Sequence, residues 1–129
     1  MKRTISTAQA PAAVGPYAQA VWAGDFLFMS GQIPIHPQTG LLSGDDIQSQ
    51  TRQVLHNVQA VLASQSLTAQ DVVKTTVFLT DLAHFNDVNA LYADFFTGEP
   101  PARSCVQVAA LPKGALVEME CIAYRPAQS

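Results

Sequence analysis

Phe26-Leu27-Phe28-Met29-Ser30 carries apolar residues in both phases of a strand's alternation. Successive side chains of a strand point to opposite faces, so this segment offers apolar surface to both sides of a sheet, and each side needs a cover. Just upstream, Tyr17 to Ala23 is a second strand-forming run, and the intervening Gly24-Asp25 predicts a hairpin with a two-residue turn. Downstream, Ile33 to Leu42 is rich in Pro and Gly and reads as a loop, with a turn at Gln38-Thr39-Gly40.

Ile47, Thr51, Val54, Leu55, Val58, Val61 and Leu62 recur at helical spacing, which predicts an amphipathic helix from about Asp46 to Gln65 with Asp45 or Asp46 as its cap. Val72 to Thr80 is β-branched and fits a strand. Phe85, Val88, Leu91, Tyr92, Phe95 and Phe96 mark a second helix, ended by Gly98 and Pro100. Two more strands are expected at about Ala102 to Ala109 and Leu116 to Tyr124, joined around Pro112-Lys113-Gly114. The order ββ(β)-α-β-α-β-β describes an α+β domain in which a mixed β-sheet packs on two α-helices. Two helices cover only one face of that sheet. The other face is largely uncharged, and copies of the same chain are the simplest cover for it.

Composition points the same way. The chain has 129 residues, which fits one domain over 1–129. Charged residues make up 13%, about half the usual share, while 48% are hydrophobic. No apolar run approaches the roughly 18 residues of a membrane span. Met1-Lys2-Arg3-Thr4-Ile5-Ser6-Thr7 has basic residues with no hydrophobic stretch behind them, so it does not read as a signal peptide. The net charge is −3 and no Lys/Arg cluster occurs, which argues against a nucleic-acid or membrane-binding surface. Cys105 and Cys121 lie in apolar, strand-like runs without a Cys-x-x-Cys, as reduced thiols of a cytoplasmic protein would. His36, His56 and His84 are scattered, and no metal site is expected.

Chemistry concentrates in Pro101-Ala102-Arg103-Ser104-Cys105-Val106-Gln107-Val108. As a strand it sends Arg103, Cys105 and Gln107 one way and Ser104, Val106 and Val108 the other. A guanidinium in an apolar setting needs an anion, and its planar fork suits a carboxylate or phosphate. Either a small-anion pocket or an internal Asp or Glu answers that need. In the last strand Glu118 and Glu120 share a face with Leu116 and Ile122. The short connection suggests an antiparallel pair of these two strands, which would bring a Glu near the Arg/Cys face. Such a carboxylate would either neutralise Arg103 or orient a water.

Ala10-Pro-Ala-Ala-Val-Gly-Pro-Tyr17, Ser30-Gly-Gln-Ile-Pro34, Pro101-Ala-Arg-Ser-Cys-Val-Gln-Val-Ala109 and Glu118-Met-Glu-Cys-Ile-Ala123 together resemble the RidA/YjgF family of reactive-intermediate (enamine/imine) deaminases. The motifs stand in the family's order, with Lys74-Thr-Thr-Val-Phe-Leu-Thr-Asp-Leu82 among them, and the match runs from about Ile5 to Ala123. The resemblance implies a chorismate-mutase-like fold assembled as a homotrimer, with clefts between neighbouring subunits. It also implies hydrolysis of 2-imino acids, such as 2-iminobutanoate and 2-iminopropanoate, to 2-oxo acids and ammonia, with no cofactor or metal. Such imines are released by pyridoxal-phosphate enzymes. Carried over by position, Arg103 would hold the substrate carboxylate and the backbone of Cys105 the imine end. Glu118 would place the attacking water, and Tyr17, Ser30, Gly31 and Asn89 would shape the pocket, some of them from a neighbouring subunit.

Two departures stand out. The Thr97–Ala102 segment is shorter than in typical relatives, with Glu99-Pro100-Pro101 where an aromatic often precedes Pro-Ala-Arg, and Ala110 replaces a frequent Arg. The first bears on substrate range more than on reaction type. A non-catalytic small-carboxylate-binding regulator, an endoribonuclease or translation inhibitor, and a chaperone-like role through exposed apolar surface are the alternative functions.

Overall fold

A computed structural model describes residues 2–125, so Met1 and residues 126–129 of the domain expected over 1–129 lie outside the described residues. The elements are β1 (Arg3–Ile5), β2 (Ala20–Ala23), β3 (Phe26–Gln32), α1 (Ile47–Ser64), β4 (Val72–Leu79), α2 (Phe85–Phe95), β5 (Ala102–Gln107) and β6 (Val117–Tyr124). The strands form one sheet in the order β1-β2-β3-β6-β4-β5. Among the described residues only the β4–β5 pair is parallel. The expected mixed sheet on two helices is therefore present.

Local chemistry explains most boundaries. The hairpin closes at Ala23 opposite Phe26, with Gly24 at φ +60°, a conformation glycine adopts without strain. Asp46 is the cap of α1: its carboxylate accepts the Ser49 backbone N–H at 2.9 Å, and those hydrogen bonds hold its pKa below the ordinary value. β1 was not anticipated. Its three residues, Arg3-Thr4-Ile5, lack a long alternation and form a strand because β2 offers an open edge in register. β2 starts at Ala20 rather than Tyr17.

The expected antiparallel pairing of β5 with β6 does not occur, because β4 lies between them. The segment from Val108 to Leu116 crosses the end of β4: Val108 N–H donates to the Leu79 carbonyl (2.8 Å), and Thr80 N–H donates to the Leu116 carbonyl (3.2 Å). β4, Val-Val-Lys-Thr-Thr-Val-Phe-Leu, is the more apolar strand and takes the interior position, leaving Arg103, Ser104 and Gln107 on an edge.

Val77 and Leu79 of β4, Val117, Met119 and Cys121 of β6, and Leu27 and Met29 of β3 point to the helices and build the core with Val54, Val58, Val61 and Leu62 of α1, and Thr75 of β4 is buried on the same face. The opposite face carries Phe26, Phe28, Val106 and Tyr124, all exposed. A polar network under α1 fixes the loop after β3. Asn57, 0% exposed, donates through Nδ2 to the carbonyls of Ile33 (3.1 Å) and Ile35 (3.0 Å). Its Oδ1 accepts from Gln53. Gln50 donates to the Gly44 carbonyl and accepts from Leu116 N–H, joining that loop to the start of β6.

Candidate functional site

The sequence-nominated residues gather in two groups. The first lies along β5. Thr75 pairs in register with Arg103 and Val77 with Cys105, so both residues share the helix-covered face. Arg103 Nη1 donates to Asn89 Oδ1 of α2 at 2.7 Å, which brings the nominated Asn89 to the guanidinium. Its hydrogen-bond partner is a neutral amide, and no carboxylate among the described residues pairs with it. The internal Asp or Glu that sequence left open is thus not its partner. A fixed guanidinium with unused donors, at a sheet edge, has the chemistry to receive an anion.

Cys105 offers its backbone rather than its thiol to the surface. Its side chain packs against the core. Burial pushes the thiol's pKa up, and the Arg103 charge only partly opposes that, so the reactive thiolate is disfavoured. In a parallel pair, backbone groups of alternate residues turn inward. Val108 N–H bonds inward to Leu79. By alternation the N–H and C=O of Cys105 point out from the free edge of β5. Cys121, fully buried and pushed up to about 12, is inert.

The second group lies where β3 meets β6 and the chain enters β2. Glu118 pairs with Phe78, on the face opposite Arg103. Its carboxyl folds over Gly31, where a Cβ would stand 2.8 Å from the carboxyl carbon, so the close approach requires glycine. Burial, and secondarily the charge of Glu120, raise the pKa of Glu118, as suits a group that exchanges protons. Ser30 donates through Oγ to the Ala18 carbonyl (2.6 Å) and through its N–H to the Gln19 carbonyl (2.9 Å), tying β3 to the segment of Tyr17. Tyr17, 52% exposed, lines a cavity of about 200 Å³ with Gly31, Gln19 and His36.

Gln19 was missed by sequence reading. It is buried, accepts Thr7 N–H through Oε1 at 2.6 Å, and donates through Nε2 to the carbonyls of Thr7 (3.0 Å) and Pro11 (2.7 Å). The signal was a lone amide within an otherwise apolar run. Arg103, Asn89 and Cys105 thus gather in one place, and Tyr17, Ser30, Gly31 and Glu118 in another; one chain does not bring the two groups together. Among the described residues no His, Cys, Asp and Glu cluster could hold a metal, and no helix is long and apolar enough to cross a membrane.

The chain as a whole is similar to known proteins. The family model described as Endoribonuclease L-PSP matches residues 7–125. The 2-iminobutanoate/2-iminopropanoate deaminase of Salmonella typhimurium is 50% identical over 128 residues, covering 97% of this chain and 99% of that protein. Among solved structures, the Rid-family protein YyfA of Yersinia pestis is 53% identical with a TM-score of 0.94, covering 96% of this chain and 99% of that one. The YjgF gene product of E. coli is 49% identical with a TM-score of 0.91 over the same shares. With that family model matched over 7–125, a span that includes both helices, and relatives about 50% identical over nearly the whole chain, this chain belongs to the RidA/YjgF family, whose model carries the Endoribonuclease L-PSP description.

Proposed function

We propose that this protein is a 2-iminobutanoate/2-iminopropanoate deaminase, which hydrolyses 2-imino acids to 2-oxo acids and ammonia in clefts between the subunits of a homotrimer. The observation that carries the reading is the Arg103 guanidinium, held at a sheet edge by Asn89 with no acid partner among the described residues. The deaminase name borne by a 50% identical relative supports the same reaction class.

The chemistry asks little of the protein. Water adds to the imine carbon, the nitrogen of the adduct takes a proton, and ammonia leaves as the carbonyl forms. A protonated imine is already electrophilic, so holding it beside one oriented water supplies much of the barrier reduction. Arg103 takes the carboxylate through a charge-assisted pair of hydrogen bonds. The outward backbone of Cys105 holds the imine end. Glu118 of a neighbouring subunit orients the water and receives its proton, with Tyr17, Ser30 and Gly31 closing that side. Packing the exposed face bearing Phe28 and Val106 against copies of itself would bring the halves together. A reduced, cytoplasmic setting suits the two free cysteines.

The test is the rate at which 2-iminobutanoate, generated in situ from threonine by a dehydratase, disappears. Acceleration by the wild type and its loss in Arg103→Ala are expected; a wild type that binds 2-oxo acids without accelerating hydrolysis would instead be a carboxylate-binding regulator. The family model's description favours RNA cleavage as a second reading. The net charge of −3 opposes it, and salt-sensitive RNA binding would revive it.

A further inference from the structure

Phe85, Asn89 and Tyr92 stand at i, i+4 and i+7 on α2, which sets them in one stripe along the helix. All three meet the same group. The Arg103 guanidinium carbon lies 4.8 Å from the ring centre of Tyr92 and 5.4 Å from that of Phe85, and Nη1 bonds to Asn89. Tyr92 is itself fixed. It is 7% exposed, its hydroxyl is 2.7 Å from the hydroxyl of Thr75, and its ring packs on Phe96 with centres 4.5 Å apart. Thr75 is 0% exposed and sits in register with Arg103 on the neighbouring strand. The ring therefore takes its place from the same pair of strands that positions the arginine backbone.

A carboxylate in place of this stripe would hold Arg103 equally well but would neutralise it. Two ring faces and a neutral amide hold the cation while leaving its charge and its remaining N–H groups for a ligand. We propose that Phe85 and Tyr92 are positioning residues for Arg103, forming with Asn89 a neutral cradle that keeps the guanidinium fork charged and oriented toward a ligand carboxylate. The inference rests on the reading of Arg103 as the carboxylate clamp, and it adds a requirement for aromatic rings at two positions that otherwise look like ordinary core.

The test uses Phe85→Leu and Tyr92→Leu, which keep apolar bulk and remove a ring face, and Tyr92→Phe, which keeps the ring and removes the hydroxyl. Each Leu variant is expected to raise KM for 2-iminobutanoate and Kd for 2-oxobutanoate roughly 5- to 30-fold, with kcat within about twofold. Tyr92→Phe should stay within about twofold of wild type in KM while losing heat stability. In an Arg103→Ala background the Leu substitutions should add nothing to KM, since no cation remains to be placed.

An activity-independent readout is the Arg103 side-chain N–H resonance. Ring currents should shift it upfield in the wild type, and each Leu variant should return it toward the free-arginine position. An unchanged resonance in both Leu variants, or an equal KM loss with and without Arg103, would overturn the cradle. If Tyr92→Leu fails to fold, Phe85→Leu and the wild-type resonance still decide. A wild type without imine hydrolysis would sink the functional reading while the resonance continued to report on the cradle.

Discussion

Arg103 and Glu118 point to opposite faces of one sheet: Arg103 is in register with Thr75 on the helix-covered side, and Glu118 with Phe78 on the open side. No side-chain rotation within one chain brings a carboxylate on one face to a cation clamped by α2 on the other. If both act on one substrate, they act from different subunits.

The clamp itself is the simplest prediction. Arg103→Ala should lower kcat/KM for 2-iminobutanoate by roughly 10- to 150-fold, the equivalent of about 1.5–3 kcal/mol for a charge-assisted hydrogen bond. Steady-state kinetics in the dehydratase-coupled assay measures it. Full activity in the variant would remove the carboxylate clamp from the account.

Glu118→Gln should separate activity from stability. Hydrolysis should fall, because an amide accepts no proton from the water. Stability should move the other way. Burial raises the pKa of Glu118 in the folded state, so that state binds more protons than the unfolded chain between the two pKa values, and stability falls as pH rises through that window. The variant should therefore melt above the wild type at neutral pH, with the gap closing as pH drops below the ordinary glutamate range. In the wild type the same shift should move the acid limb of kcat/KM upward from that range. Melting curves and pH–rate profiles check both, and a variant less stable at neutral pH would contradict the assignment.

Gly31→Ala should leave the fold intact and impair the reaction. The added methyl would meet the mobile end of Glu118 rather than backbone, so the carboxylate swings aside at little cost in melting temperature. A loss of about tenfold or more in kcat, from misplacing the water-orienting group, is expected in the coupled assay. Unchanged kcat would show that the position of Glu118 over Gly31 does not matter.

Phe28 stands 46% exposed on the open face, beside Ile122 of β6. Phe28→Asp would place a charge where copies of the chain are proposed to meet, at a desolvation cost the interface has no partner to offset. Light scattering should show three chains for the wild type and one for the variant, and the variant should lose hydrolysis with its assembly. A variant that stays trimeric would mean that subunits meet elsewhere.

The fold was largely legible because its helices and hairpin announce themselves through spacing. Ile47 to Leu62 repeats at helical intervals, and Gly24-Asp25 separates two β-rich runs. What escaped was long-range partnership. Arg3-Thr4-Ile5 is too short and polar to signal a strand, and its pairing is fixed by β2. The β5–β6 connection looks like a hairpin link, yet β4, whose Val77 and Leu79 are buried in the core, pairs with β5 in its place. That insertion leaves β5 at the sheet edge. Asn89 was nominated through family likeness, and the structure brings it to Arg103. Tyr92 and Phe85 passed as helix core because nothing in a one-dimensional pattern tells a ring packed on leucine from one packed on a guanidinium.

Subunit mixing tests the shared site most directly. Arg103→Ala and Glu118→Gln proteins, each strongly impaired alone, are dissociated together, reassembled at equal amounts and assayed for imine hydrolysis. If each site takes Arg103 from one chain and Glu118 from the next, random trimers should recover about a quarter of wild-type activity, since that share of clefts receives both intact residues. Mixtures no more active than their parents, with trimers confirmed by mass, would contradict a site divided between subunits.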